Sequence, residues 1–170
     1  MHVRLASTDD SRAIETIRIH AWRAAYRHVF PPAELDALPI DAERWRSRLR
    51  IPPRGWATFV CDDDEAVVGF ASVGPSRDED GFGELYAIYV EPESWSIGAG
   101  RALIRAAEER LEAEYASALL WVLEDNPRAR RFYERAGWAA DGARKAEERF
   151  GVRAPEVRYR KDFASARSYA

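Results

Sequence analysis

Cysteine is nearly absent from this chain. The single one, Cys61, excludes an internal disulfide and any multi-cysteine metal site, fits a reducing cytosol, and reads locally as a small strand hydrophobe. Long apolar runs are missing as well. No stretch approaches the ~18 residues of a membrane helix, and the opening MHVRLASTDD lacks the apolar core of a secretory signal. A cytoplasmic protein with no membrane partner is therefore expected. Excess positive charge is also lacking: 26 basic residues face 29 acidic ones, the net charge is -3, and the arginines are interleaved with acids, so no footprint for nucleic acid exists. The three histidines, His2, His20 and His28, have no metal-ligand spacing, so no metal site is expected and they are read as incidental or pocket-lining. Repeats, low-complexity tracts and linkers are not seen.

What is present is the composition of a packed domain. Hydrophobic residues make up 46%, charged ones 32% and aromatics 12% of 170 residues, too apolar for disorder. A chain of this length buries about two-thirds of its extended surface around one core, which predicts a single domain over 1–170.

Residues 2 to 6 read as a short strand ending at Ser7-Thr8-Asp9-Asp10, whose side-chain oxygens suit the start of a helix. That helix carries Ile14, Ile17, Ala21 and Ala25 on one stripe. The paired prolines in HVFPPAEL break it, and a polar helix through DAERWRSRL follows. WATFV and AVVGFASV read as strands flanking CDDDE, whose acids predict a solvated hairpin turn. After the acidic loop PSRDEDGFG comes ELYAIYV, apolar on both parities and hence a central strand covered on both faces. Strict alternation puts Glu84, Tyr86, Ile88 and Val90 on one side of it. From Gly98 to about Tyr115, Leu103, Ala107 and Leu111 recur at helical spacing, with Arg105 and Glu109 as an exposed pair. ALLWVL is a second buried strand, parallel to the first through the crossover helix. Asn126 before Pro127 starts a further helix, Gly137 stops it, and GWAADG with EVRYRKD closes the chain as an antiparallel pair at an edge.

The segment YVEPESWSIGAGRAL joins the central strand to its helix through a glycine turn. A dinucleotide fingerprint needs a third glycine where Leu103 stands, and a Walker loop needs Gly-Lys-Ser/Thr, so both fail. What survives is physical: Gly98 and Gly100 let backbone N–H groups approach a ligand, the helix adds its positive dipole end, and Arg101 adds a charge in the first turn. A pyrophosphate would be well held there, although the same glycines also serve as an ordinary turn.

GELYAIYVEPESWSIGAGRALI followed by LLWVLEDNPRARRFYERAGW resembles the GNAT superfamily of acetyl-CoA-dependent N-acetyltransferases. Its pattern is a strand ending in Val-x-Pro, a turn Q/R-x-x-G-x-G/A, a helix, a parallel strand, then Asn-x-x-Ala-x-x-x-Tyr before Gly-Phe or Gly-Trp. Val90, Pro92, Gly98, Gly100, Asn126, Ala129, Tyr133, Gly137 and Trp138 match. Trp95 departs from it, standing where Gln or Arg is usual. The resemblance implies a single-domain α/β fold with a mixed, twisted sheet of about six or seven strands, helices on both faces and parallel central strands splayed apart. It implies acetyl-CoA as acyl donor, its pantetheine arm pairing with the backbone of Ile88, Tyr89 and Val90, and its pyrophosphate on Ile97, Gly98, Ala99, Gly100, Arg101 and Ala102. A homodimer is left open.

Acetyl transfer to an amine needs a base for the ammonium and an acid for the departing thiolate. Glu84 stands where members with a glutamate base carry theirs; its plain alternative is a solvated carboxylate at a strand end. Tyr133 stands where the resemblance puts the hydroxyl that protonates sulfur; its alternative is a core tyrosine. Asn126 either contacts the pantetheine arm or only caps its helix. Trp22 and Tyr26, four apart on one helix face, form either a cation–π wall for the acceptor amine or part of the core. Acidic clusters at Asp62 to Glu65 and Asp78 to Asp80 either attract a cationic acceptor or are solvated loops. The expected activity is direct transfer to a primary amine of a small molecule. The lone cysteine lies on another strand and no Ser-His-Asp arrangement appears, which argues against a covalent intermediate. The rival from another class is a non-catalytic acyl-CoA-binding sensor.

Overall fold

A computed structural model describes residues 1–64 and 66–163. Seven strands form one sheet: β1 (His2–Leu5), β2 (Ala57–Asp63), β3 (Ala66–Pro75), β4 (Gly83–Val90), β5 (Ser117–Leu123), β6 (Ala139–Arg149) and β7 (Val152–Asp162). The helices are α1 (Ser11–Tyr26), α2 (Pro32–Asp36), α3 (Ala42–Arg50), α4 (Ala99–Glu112) and α5 (Pro127–Arg135). Strand order is β1-β2-β3-β4-β5-β7-β6, antiparallel everywhere except β4–β5. This is the α/β fold with a mixed sheet that the sequence predicts.

Two departures from the expected boundaries have local causes. The acids of CDDDE do not form the turn themselves: β2 continues through Asp63, because Arg4 on β1 pairs with Asp62 at 2.8 Å and holds it in the ladder. The turn begins at Asp64, and Glu65 of that acidic cluster lies outside the described residues. The prolines at 31 and 32 do end α1, yet Pro32 then occupies the first position of the short α2, where its missing N–H costs nothing.

Both faces of the sheet are covered. Leu103, Ala107 and Leu111 of α4 pack with Ala71, Val73 and Leu85 from β3 and β4 and with Leu120 and Val122 from β5. On the other face Ile14 and Ile17 of α1 meet Trp45, Val60 and Phe70, and Trp22, Tyr26, Phe30 and Leu35 form a further aromatic cluster over Ala154. The 40 residues of α1 to α3 and their loops thus cover only part of their face. What they leave uncovered, between β4 and the β6–β7 hairpin, becomes a cleft.

The strand β4 does not alternate strictly. Its register with β3 shifts between Ser72 and Val73, which pair with Ala87 and Leu85, so Tyr86 is an extra residue without a partner. The bulge brings Leu85, Ile88 and Val90 to the α4 side and Ala87 and Tyr89 to the α1 side. Glu84, adjacent to Leu85, therefore points to the α1 face, and the shared parity of Glu84 with Ile88 and Val90 expected from simple alternation is overturned.

Candidate active site

The central parallel pair is short. β4 and β5 pair only at Gly83–Ala118 and Glu84–Leu119; beyond these the strands part. Glu91 N–H bonds Val68 O on β3 at 2.8 Å. By alternation Tyr89 also turns its main chain to β3, whereas Ile88 and Val90 turn theirs into the gap. Of the three strand residues expected to meet the cofactor, Ile88 and Val90 thus turn main-chain groups to the gap and Tyr89 turns its own to β3. The side chain of Tyr89 instead accepts a hydrogen bond from Trp22 Nε1 at 3.0 Å.

At the mouth of the gap the turn enters α4. Ser96 (φ 70°) and Gly98 (φ 105°) both lie in the left-handed region, which glycine adopts freely and serine at a cost. The first helical bond runs from Ala102 N–H to Gly98 O at 3.0 Å, leaving the N–H groups of Ala99, Gly100 and Arg101 without intrahelical partners. A Cβ on Gly100 would stand 3.3 Å from the Phe132 ring, so the missing side chain permits the close approach of α5. Gly98, Gly100 and Arg101 line the cleft; Ile97 is 46% exposed, Ala99 is in the core, and neither they nor Ala102 line it, so their contribution is confined to main chain.

Trp95 explains its departure from the family pattern by what it touches. Its Nε1–H donates to Val90 O at 2.8 Å, occupying a carbonyl that faces the gap, and the Arg128 guanidinium lies 3.3 Å from the centre of its ring. The stack links the end of β4 to the start of α5.

The cleft has a volume of about 1450 Å³ and holds both expected catalytic side chains. Tyr133, buried on α5 beside Tyr159, has its hydroxyl proton held more tightly than usual, first by burial and second by the nearby Tyr89. It is therefore neutral at physiological pH and has a proton to give. Glu84 is 1% exposed, and its carboxylate is already engaged: Arg77 donates from its main-chain N–H to Oε2 at 2.9 Å and from Nε to Oε1 at 3.1 Å, and Nη2 also reaches Oε1. It is not the solvated strand-end carboxylate of the plain alternative. Arg77 also lies over Tyr86, whose ring packs on Trp56 with centroids 4.2 Å apart.

Trp22 and Tyr26 line the cleft and are also packed, 5.2 Å apart edge to face and against Phe30. The cations that Trp22 meets are the chain's own, Arg18 and Arg149. Asn126 Oδ1 accepts from Ala129 N–H at 3.1 Å as a helix cap, and its residue also borders the cleft. Of the histidines, His28 borders the cleft and His20 contacts Glu91. Among the described residues no group of three or more His, Cys, Asp or Glu could hold a metal, and no helix is long and apolar enough to cross a membrane.

Several cleft residues carry no sequence signal. Arg77 sits in what reads as an acidic loop, where a lone cation between acids looks solvated. Trp121, Lys145 and Glu156 reach the cleft because β5, β7 and β6 lie side by side, with Leu123 opposite Glu156 and Glu156 opposite Lys145. Only the partner strands reveal that adjacency. Asp78 of the second acidic cluster accepts from Trp121 Nε1 at 2.6 Å and Glu79 pairs with Arg158, so both have structural partners.

A helix-heading glycine turn beside two parted parallel strands defines the class, and the sequence comparison agrees: the chain belongs to the acetyltransferase (GNAT) family, whose model matches residues 18–138. It is an N-acetyltransferase by that membership. Over 91% of its length it is 38% identical to the uncharacterized N-acetyltransferase YuaI of Bacillus subtilis (strain 168), covering 89% of that protein. Among solved structures it resembles ribosomal-protein-alanine N-acetyltransferase from Brucella melitensis, with TM-score 0.77 and 22% identity over 96% of this chain and all of that one. The structure of yncA from Salmonella typhimurium with its cofactor acetyl-CoA gives TM-score 0.74 and 20% identity over 100% and 98%. At these identities the two structures speak to the fold.

Proposed function

We propose that residues 1–170 form one N-acetyltransferase domain that takes acetyl-CoA into the β4–β5 gap and passes the acetyl group directly to a primary amine of a small molecule, in the cytoplasm. The carrying observation is that β4 and β5 separate after two pairs, leaving the main-chain N–H groups of Ile88 and Val90 and the carbonyl of Ile88 without a strand partner beside free N–H groups of α4, the Val90 carbonyl being taken by Trp95. A pantetheine arm has amides of matching kind to pair with a bare strand edge, and a diphosphate suits the helix start. The acetyl-CoA bound in the yncA structure supports the same ligand here.

In this reading Glu84 is the base. A carboxylate has about four lone-pair sites and Arg77 fills three, so the remaining one on Oε2 takes the ammonium proton, through a water where the amine stands further off. Tyr133 gives its proton to the departing thiolate. A phenol held so tightly is a weak acid, so the donation must be coupled to the proton released by the nitrogen as the amide forms. An open main-chain N–H on β4 polarises the thioester carbonyl.

The hold of Arg77 on Glu84 is the one observation that favours a sensor, since a carboxylate kept in an ion pair is spared for structure. Incubation with acetyl-CoA and a panel of amines, with free thiol followed over time, separates the two. Turnover with any amine supports the enzyme; binding of coenzyme A by calorimetry with no turnover across the panel would turn the reading to the sensor.

A further inference from the structure

Only two of the 26 basic side chains are lysines, Lys145 and Lys161, and their settings differ sharply. Lys161 is pinned: its ammonium donates to Ala136 O at 2.7 Å and pairs with Glu108 at 2.8 Å, between α4 and the end of α5. Lys145 lines the cleft that contains Glu84 and Tyr133. Its ammonium lies 4.4 Å from the centre of the Trp121 ring, 3.6 Å from Glu147 and 3.7 Å from Glu156. None of these is short enough for a hydrogen bond, so the group is held by two carboxylates and a ring face without a directed bond.

Its position follows from the sheet. Lys145 stands opposite Glu156, and Glu156 opposite Leu123, so β6, β7 and β5 present one continuous face. The lysine stem reaches back across that face to Trp121, two residues beyond the Glu84–Leu119 pair, about 7 Å along β5 at ordinary strand rise. A primary ammonium on a flexible arm thus stands beside the strand pair that opens to receive the thioester. Glu156 stands 3.7 Å from that ammonium and is suited to relieve it of a proton, because burial, the foremost influence, raises its affinity for one against the opposing pull of Lys145 and Arg149.

We propose that Lys145 is a self-acetylation site, taking the acetyl group within its own molecule when no acceptor amine is bound. This rests on the reading that acetyl-CoA occupies the β4–β5 gap. The ammonium passes one proton to Glu156 and the neutral nitrogen attacks the thioester carbonyl. The N–C bond forms as the C–S bond breaks. The nitrogen's second proton replaces the one that Tyr133 gives to sulfur, so acetyl-lysine and coenzyme A thiol result, with the proton on Glu156 returned to solvent. Arginine cannot substitute, since its guanidinium does not give up a proton in proteins. Acetylation would remove one of the two cations over Trp121, Arg158 being the other, and leave Glu156 facing the chamber without its lysine, making it more attractive to a cationic acceptor.

The test needs no acceptor. The purified chain is incubated with acetyl-CoA alone, followed by intact mass and peptide mapping, with coenzyme A binding measured in parallel by calorimetry. One acetyl increment on Lys145 and none on Lys161 is expected, at a rate independent of protein concentration, lost in Lys145→Arg and slowed roughly 10²-fold in Tyr133→Phe. Normal binding with Lys145 unmarked, or marked equally fast in Tyr133→Phe, would overturn the inference and leave the cofactor reading standing. A rate that rises with protein concentration would overturn transfer within one molecule. Absence of coenzyme A binding would overturn the cofactor reading, and this inference with it.

Discussion

At Glu84 a carboxylate that solvent barely reaches meets three donors from a single arginine. The pairing fixes the carboxylate's orientation and leaves little spare capacity, so base strength and geometry are tied together at one residue. Replacing Glu84 by Gln keeps the shape but removes the base, and kcat is expected to fall by roughly 10² with little change in coenzyme A affinity. Tyr133→Phe should give a similar fall, because the ring still packs on Phe132 and Tyr159 and only the proton donor goes. Steady-state kinetics beside calorimetry checks both. An unchanged kcat in the tyrosine variant would return that residue to a packing role. Tyr133 was legible in the sequence because the Asn-x-x-Ala-x-x-x-Tyr spacing names it; Arg77 was not, because loop residues reveal their partners only after the loop has folded over the strand.

Among elements, the turn and α4 were the most legible and β4 the least. Helical periodicity and glycine placement are local properties, and Leu103, Ala107 and Leu111 are all buried where the spacing puts them. The bulge at Tyr86 has no comparable local mark. An apolar run such as ELYAIYV reads the same with or without an extra residue, so the side on which Glu84 emerges depended on the register with β3. The N-terminal helix start offers a different test. Asp10 accepts from Ser7 N–H at 2.7 Å and from Arg4 at 2.8 and 2.9 Å, and the Arg4 contact, ahead of that from Ser7, draws its carboxyl below the usual range against the opposing effect of burial. A carboxyl lowered in the folded state stabilises above its unfolded value, near 3.9, and that stabilisation is lost as pH falls through the folded one. Acid unfolding of Asp10→Asn, followed by circular dichroism, should therefore show a smaller loss of stability below about pH 4 than the parent, from a lower starting level at neutral pH. Equal slopes would mean that Arg4 is served by Asp62 alone.

For the molecule as a whole, strand order and the parting of β4 from β5 define two half-sheets, β1-β2-β3-β4 and β5-β7-β6. The order of elements in the chain predicted a parallel pair; how few residues it joins followed only from the resemblance, because strand composition does not encode where pairing stops. The amides of Ile88 and Val90 should accordingly exchange hydrogen quickly in the free protein and become protected when coenzyme A is added, whereas the amide of Tyr89, directed to β3, should be slow throughout. Exchange followed residue by residue checks this, and equal protection of all three without ligand would mean that the gap is closed in solution.

The same two-pair junction sets how the molecule bears load. The chain begins in one half-sheet and β7 lies in the other, so tension applied near the two ends crosses the sheet between β4 and β5. Two rungs of main chain oppose it there, helped by the apolar seating of α4 across both strands and by side-chain contacts such as Trp121 to Asp78. Under force the domain should yield first along that seam, and a ligand laid into it as an extra strand would act as mortar.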